Sequence, residues 1–149
     1  MIKREGGFSL VELLVATAIT GLIVSGVGTA IYQIITVTDY GNDRLTATHE
    51  VQNVAHWFSL DGQRASRASG GRELVLTLTD DSSATYSVVG TELYRMTGSS
   101  NMTLAQNIAS ASFSVEDHTI TMNLTSYPQG RWDVSENGTY QVYRRPTEE

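Results

Sequence analysis

The chain has 149 residues, of which 16 are acidic and 10 are basic, so its net charge at pH 7 is −6. That length allows one small domain in addition to a membrane segment, and the few basic residues argue against nucleic acid as a partner, because phosphate binding needs a basic patch. There is no cysteine, so a hydrophobic core rather than disulfides has to stabilise the domain.

An uncharged stretch runs from Leu13 to Thr38, and it is longer than the roughly 20 residues that cross a bilayer as a helix. One acid, Glu12, lies at its beginning, where a buried carboxylate would cost about 2.5–3.5 kcal/mol. A secretory signal peptide carries its small-residue cleavage site after the apolar core, whereas Gly6 and Gly7 precede it here. A plain membrane anchor explains the hydropathy but not Glu12.

The ten residues from Gly7 to Ala16, Gly-Phe-Ser-Leu-Val-Glu-Leu-Leu-Val-Ala, resemble the class III signal of type IV pilins and pseudopilins. The resemblance implies that a prepilin peptidase cleaves between Gly7 and Phe8, that the new Phe8 amine is N-methylated, and that the apolar helix is retained. It also implies a structural role without enzymatic activity. The partners would be other pilins or pseudopilins and the assembly platform of the inner membrane.

Glu12 then has a predicted purpose, which is to set the register between subunits. Its carboxylate would pair with the Phe8 ammonium of an adjacent subunit, because two charges that are too costly to bury singly are tolerated as a pair. In the alternative interpretation, Glu12 belongs to a monomeric anchor and reaches the membrane interface.

The distribution of basic residues predicts the orientation. Lys3 and Arg4 precede the apolar stretch, and no basic residue follows it until Arg44. The positive-inside rule therefore places the N-terminus in the cytoplasm and the C-terminal domain in the periplasm or outside, with a single pass through the inner membrane. Loss of residues 1–7 would change the net charge from −6 to −7, since two basic residues and one acid are removed.

Small residues in the apolar stretch predict close helix packing. Gly21 with Ser25 and Gly26 with Ala30 have small-xxx-small spacing. In assembled pilins part of this region is often melted and a proline marks one edge, but Thr29 occupies that position here. Whether the helix melts is left open.

After the apolar stretch, an amphipathic helix is predicted to near Ser66. Val51, Val54, Ala55 and Phe58 have the i, i+3, i+4, i+7 spacing of one helical face. Gly70 and Gly71 are expected to end the segment. A nearly continuous helix from Phe8 to about Arg64 would be roughly 85 Å long, which is the lollipop shape that the resemblance implies.

Beyond Gly71 the period changes to two, which indicates β-strands. About six short antiparallel strands are predicted, with turns at 80–83, 90–91 and 116–118, an irregular loop from Ser126, and an Asn137–Gly138 turn. The predicted fold class is therefore α+β, a long helix packed by its C-terminal half on a small antiparallel sheet. The predicted division is leader peptide, filament-core helix, amphipathic helix and β-rich domain, at residues 1–7, 8–38, 39–69 and 70–149.

A narrower resemblance is to the J-type minor pseudopilins of type II secretion and to related minor pilins. It is carried by the helix end at 57–66, the segments 92–95 and 104–108, and the hairpin at 113–124. It implies a minor subunit involved in filament initiation or the tip, and in protein secretion. The alternatives are a major pilin subunit of a type IV pilus, or a membrane-tethered extracytoplasmic binding module.

Few metal candidates are present, and no other cofactor is expected. His49 and His56 lack the spacing of a zinc site, and a solvated helix face is the favoured interpretation. From Asp133 onward the sequence has the first half of a calcium loop, but Arg144 stands where a bidentate acid is required. A looser Ca²⁺ site at Asp133 and Asn137 is the remaining candidate, and a turn rich in Asn, Asp and Gly is the alternative.

Overall fold

The computed structural model describes residues 9–130 and 133–144. Within them one helix, α1 (Leu10–Arg64), is followed by eight strands. These are β1 (Ala65–Ser69), β2 (Leu74–Leu78), β3 (Ser83–Val89), β4 (Glu92–Thr97), β5 (Ser100–Ala105), β6 (Ile108–Glu116), β7 (Thr119–Ser126) and β8 (Glu136–Tyr143). The chain divides into two compact units after Thr38.

The strands form two antiparallel sheets. The first sheet has the order β1-β2-β3-β4-β5 and the second has the order β6-β7-β8. Within each sheet, every strand pairs with its neighbour in sequence. Tight turns make the β2–β3 and β6–β7 connections, where Asp81 and Asp117 have positive φ angles. The structure has connections between strands at the turns predicted at 80–83, 90–91 and 116–118, except that Ser83 already belongs to β3 and Glu116 still belongs to β6.

The C-terminal part of α1 supplies one side of the hydrophobic core. Val51, Val54 and Phe58 are buried, and Ala55 is half-buried against them. Apolar residues from both sheets complete the core, among them Tyr86 and Met122. This arrangement confirms the predicted α+β fold class, in which a long helix packs on antiparallel sheets.

The helix ends close to the expected position, but the last five residues of the predicted helical segment 39–69 are not helical. The helix ends at Arg64, and residues 65–69, assigned to the helical segment, form strand β1 paired with β2. The Ser66 hydroxyl donates to the Thr77 carbonyl oxygen at 3.0 Å, so tertiary pairing overrides the local preference. Gly70 follows the end of the strand rather than the end of the helix. A Cβ there would lie 2.8 Å from the Phe113 carbonyl oxygen, so glycine allows this close approach.

The strand count is also higher than predicted, with eight strands in the described residues instead of about six. Strand β5 was missed because its first four residues are exposed and show no apolar alternation. Asn137 and Gly138 form a turn in the prediction, but they lie inside β8. A Cβ on Gly138 would lie 2.4–2.9 Å from side-chain atoms of Tyr140 and Val51, so glycine there allows close packing of β8.

Candidate processing and assembly site

Ser9 and Glu12 form a reciprocal pair of hydrogen bonds at the N-terminus of α1. The Glu12 backbone N–H donates to the Ser9 Oγ at 3.2 Å, and the Ser9 N–H donates to the Glu12 Oε2 at 3.3 Å. The Ser9 carbonyl oxygen accepts the first helical bond, from the Leu13 N–H. This geometry is a capping box, in which Ser9 is the N-cap and Glu12 occupies the third helical position.

The capping box gives Glu12 a role that the sequence analysis missed. Ser-x-x-Glu before an apolar stretch is the sequence signature of such a box, and it is present at 9–12. The carboxylate lies at the positive end of the helix dipole and satisfies a backbone donor that the helix leaves unpaired. Glu12 is therefore stabilised locally, before any contact with a second subunit.

The two residues of the predicted processing site, Gly7 and Phe8, lie outside the described residues. Cleavage between them, methylation of Phe8, and pairing of Phe8 with Glu12 stay predictions.

The apolar half of α1 exposes its side chains in the single chain. An 18-residue window of this helix has a mean hydropathy of 2.1 and none of it is buried, so the helix is long and apolar enough to cross a membrane. Leu10 is 80% exposed and Leu22 is 76% exposed. Hydroxyl groups in this half donate to helix carbonyl oxygens, as Thr20 does to Ala16 at 2.8 Å. The hydroxyls of Thr17, Thr29 and Thr38 are satisfied in the same way, whereas the Thr36 hydroxyl has no hydrogen-bond partner within the described residues.

The four residues predicted to pack helices together lie on this exposed surface. Gly21, Ser25, Gly26 and Ala30 are all exposed, and a Cβ built on either glycine has no atom within 4 Å. The helix continues through this region, although each glycine costs about 0.8–1.0 kcal/mol relative to alanine. No contact within the described residues offsets this cost, so the role of these residues in helix packing stays a prediction.

Comparison with protein families identifies the N-terminal segment. Residues 2–28 match the model of the prokaryotic N-terminal methylation motif. The match covers the predicted cleavage site and Glu12 but none of the strands. It supports a type IV pilin-like class III signal, a pilin or pseudopilin type of subunit, prepilin peptidase processing and a structural rather than enzymatic family. Comparisons with curated proteins and with solved structures gave no match.

A buried polar cluster joins α1 to the first sheet, and the sequence analysis missed it. Asp61 is fully buried and its carboxylate accepts three hydrogen bonds, from the Tyr86 hydroxyl at 2.5 Å and from the Arg95 Nε and Nη2 at 2.6 and 2.8 Å. The Arg95 guanidinium lies 4.6 Å from the centroid of the Trp57 ring, a cation–π contact. A signal was available, because Asp61 is placed seven residues after Val54 on the apolar face.

The electrostatics of this cluster follow from its burial. Burial, and then the hydrogen bond to Asp61, raise the pKa of the Tyr86 hydroxyl well above its usual range. The hydrogen bonds to the Asp61 carboxylate also raise the pKa of Arg95. The cluster therefore holds a neutral phenol and a fixed cation around one carboxylate. Such an arrangement fixes the position of the helix on the sheet.

Glu50 holds the connection between the two sheets. Its carboxylate accepts hydrogen bonds from the Gln106 N–H at 3.1 Å, the Asn107 amide at 2.7 Å and the Ser126 hydroxyl at 2.6 Å. His49, its neighbour, is exposed, as a solvated helix face requires. Glu50 thus contacts both the β5–β6 connection and the end of β7.

The candidate calcium residues are engaged elsewhere. The Asp133 carboxylate accepts a hydrogen bond from the Tyr127 hydroxyl at 2.6 Å, which raises the pKa of Tyr127. Asn137 lies in β8 opposite Thr125. In the part of the chain that the structure describes, no group of three or more His, Cys, Asp or Glu side chains is placed to hold a metal ion. The Ca²⁺ site stays a prediction.

Proposed function

We propose that the chain is a minor pseudopilin of a type II secretion pseudopilus, or the equivalent minor pilin of a type IV pilus. Prepilin peptidase cleaves between Gly7 and Phe8, Phe8 is N-methylated, and the retained helix assembles with other pilins near the initiating end or tip of the filament. The observation that carries this proposal is the N-terminal methylation motif at residues 2–28, which lies on a helix with an exposed apolar surface.

The exposed apolar surface supports assembly through the helix. Side chains such as Leu22 and Ile34 are more than 60% exposed, so the single chain leaves their burial to a bilayer or to neighbouring helices. In the inner membrane, with Lys3 and Arg4 on the cytoplasmic side, lipid covers them. In a filament the helices of other subunits replace the lipid. Glycines at positions 21 and 26 allow those helices to approach closely.

The capping box is compatible with the predicted register between subunits. A carboxylate has about four acceptor sites, and the Ser9 N–H occupies one of them. The same Glu12 side chain can therefore cap its own helix and accept the Phe8 ammonium of an adjacent subunit. The preference for a minor subunit is supported by the resemblance in the second half of the chain and by the absence of cysteine.

Intact mass of the chain purified from membranes tests the proposal. We expect the wild type to lose residues 1–7 and to gain one methyl group when the host prepilin peptidase is present, and to remain full-length without it. Gly7→Ala should block the change, whereas Gly6→Ala, which leaves the glycine at the cleavage site in place, should be processed. A full-length, unmethylated wild type in the presence of the peptidase would instead favour a membrane-tethered binding module.

A further inference from the structure

Three of the four rows of side chains on the outer surface of the second sheet are made only of uncharged polar residues. The inner surface carries buried residues such as Ile120 and Met122. The outer surface carries every second residue of 110–114, 121–125 and 137–141. All nine of these residues are Ser, Thr, Asn or Gln. We call this surface the hydroxyl face.

The register of the sheet places these nine side chains in three straight rows. Ser112, Asn123 and Thr139 are directly opposite one another in the middle row. The rows before and after it follow the same pairing, so the side chains repeat about every 4.8 Å across the strands and about every 6.8 Å along them. Thr139 donates to the Asn123 Oδ1 at 2.8 Å, and this is the one side-chain hydrogen bond of the hydroxyl face within the described residues.

The hydroxyl face is open and its nine residues carry no charge, and the row that follows it holds one exposed acid, Glu116. Its residues on β6 and β8 and the central Asn123 are exposed, and Thr121 and Thr125 are half-buried between them. Protein surfaces carry about 25–35% charged residues, so nine positions would ordinarily hold two or three. A phosphate polymer or another anion finds no counter-charge here, and a basic peptide finds only Glu116, in the row that follows. A purely apolar partner would leave the hydroxyl and amide groups without hydrogen bonds.

An exposed aromatic ring continues the same side of β8. Tyr143 follows position 141 by two residues and is 70% exposed. It lies in the same row as Thr119 and Glu116, on the opposite edge strand from the acid. An aromatic side chain offers a large apolar surface with a polar tip, which suits the C–H face of a sugar ring. Uncharged hydrogen-bonding groups in rows, next to one exposed ring, complement a neutral polymer of sugars in both charge and chemistry.

We propose that the hydroxyl face docks a neutral polysaccharide. The inference goes beyond the role of a filament subunit and does not rest on it. Hydroxyl and amide groups both donate and accept, so each pairs with a sugar hydroxyl without the desolvation of a charge. Each such hydrogen bond is individually weak, but repeated rows bind several sugar units of one chain at once, which raises the overall affinity.

Native affinity electrophoresis of the full chain, in a polyoxyethylene detergent, tests this. Hydroxyethyl cellulose in the gel is the neutral probe, and polygalacturonate is the acidic probe. We expect the neutral polymer to retard the wild type. Ser112→Glu should weaken that interaction by about tenfold, because it removes a hydrogen-bonding group and adds a charge that must be desolvated. Ser100→Glu adds the same charge on exposed β5, outside the hydroxyl face, and should bind like the wild type.

Three results would overturn the proposal: no retardation by the neutral polymer, equal weakening by the two glutamate substitutions, or equal retardation by the acidic polymer. Association of the chain with itself in place of polymer binding would also overturn it. Circular dichroism checks that Ser112→Glu folds. If it does not, Gln141→Glu at the edge strand makes the same test, with the same expected weakening and the same contradicting outcome.

Discussion

Replacing Asp61 by alanine should be among the most destabilising single changes in the second compact unit, which begins at Asp39. Asp61→Ala removes the acceptor for the Tyr86 hydroxyl and for both Arg95 nitrogens. Breaking a buried ion pair by deleting one partner costs about 3–5 kcal/mol. We expect the lower end, about 3 kcal/mol, because 11% of the Arg95 side chain reaches solvent and its contact with Trp57 stays. That is a large share of the roughly 5–15 kcal/mol that stabilises a small domain.

Thermal unfolding of the full chain in a nonionic detergent at neutral pH, followed by circular dichroism, measures this effect. One kcal/mol shifts the Tm of a domain of this size by about 4 °C, so Asp61→Ala should lower it by about 12 °C. The matched control is Glu73→Ala, which removes an exposed carboxylate before β2 and should change stability by no more than about 0.5 kcal/mol. A Tm of Asp61→Ala that equals that of the control would refute the assignment.

A double-mutant cycle separates the ion pair from the general cost of the cavity. Arg95→Met keeps much of the side-chain volume but removes the guanidinium, so it leaves the Asp61 carboxylate buried beside Tyr86. We expect the double variant Asp61→Ala with Arg95→Met to be destabilised by less than the sum of the two single changes. The double variant removes both charges, whereas each single variant leaves one charge buried without its partner. Strict additivity would show that the two side chains are not coupled.

Three further predictions concern single side chains. Tyr86→Phe should make the loss of stability above about pH 10 shallower. The raised pKa of the Tyr86 phenol keeps it protonated in the folded state, so ionisation of the unfolded chain lowers the free energy of unfolding by up to about 1.36 kcal/mol per pH unit. Urea unfolding at several alkaline pH values measures the slope, and equal slopes for the two proteins would contradict the prediction. Glu12→Gln should be cleaved and methylated but should fail to enter filaments, whereas Ser9→Ala should enter them with a helix about 1 kcal/mol less stable. Sedimentation of sheared filaments followed by immunoblotting measures the incorporation of both variants. Incorporation of Glu12→Gln at the wild-type level would refute the register hypothesis. Glu50→Ala should destabilise the fold by about 1.5–3 kcal/mol, since three hydrogen bonds to a charged group are lost, and His49→Ala is the neighbouring exposed control in the same melting experiment.

The parts of the fold that could be predicted are those whose residues carry their own periodicity. The spacing of Val51, Val54 and Phe58 indicates a helical face, and all three are buried in the core. The hairpin of β6 and β7 was also predictable, because apolar alternation on both sides of a short polar turn defines a register. The N-terminal signal could be read from residue types alone, since the spacing from Gly7 to Glu12 needs no tertiary contact.

Other features depend on pairing that the local sequence does not encode. Strand β1 follows the helix without a break, and its Ser and Arg residues carry no strand pattern, so only pairing with β2 defines it. The Asn137–Gly138 pair has the sequence of a tight turn, but the glycine serves close packing of β8 beside Val51. The contacts of Asp61 with Tyr86 and Arg95 join residues 25 and 34 positions apart, which no periodicity reveals.

Glu12 illustrates how one residue can satisfy the needs of two states of the proposed subunit. In the membrane, before assembly, the carboxylate is held by the Ser9 N–H and by the positive end of the helix, which lowers the cost of placing an acid at the edge of an apolar stretch. Removal of residues 1–7 then creates an ammonium group at Phe8, one residue before the N-cap. Each processed subunit would therefore present a new cation next to its own capped acid. A register in which the Phe8 ammonium of one subunit meets the Glu12 carboxylate of the next leaves neither charge alone, and it still spares the capping bond, because different lone pairs of the carboxylate are used.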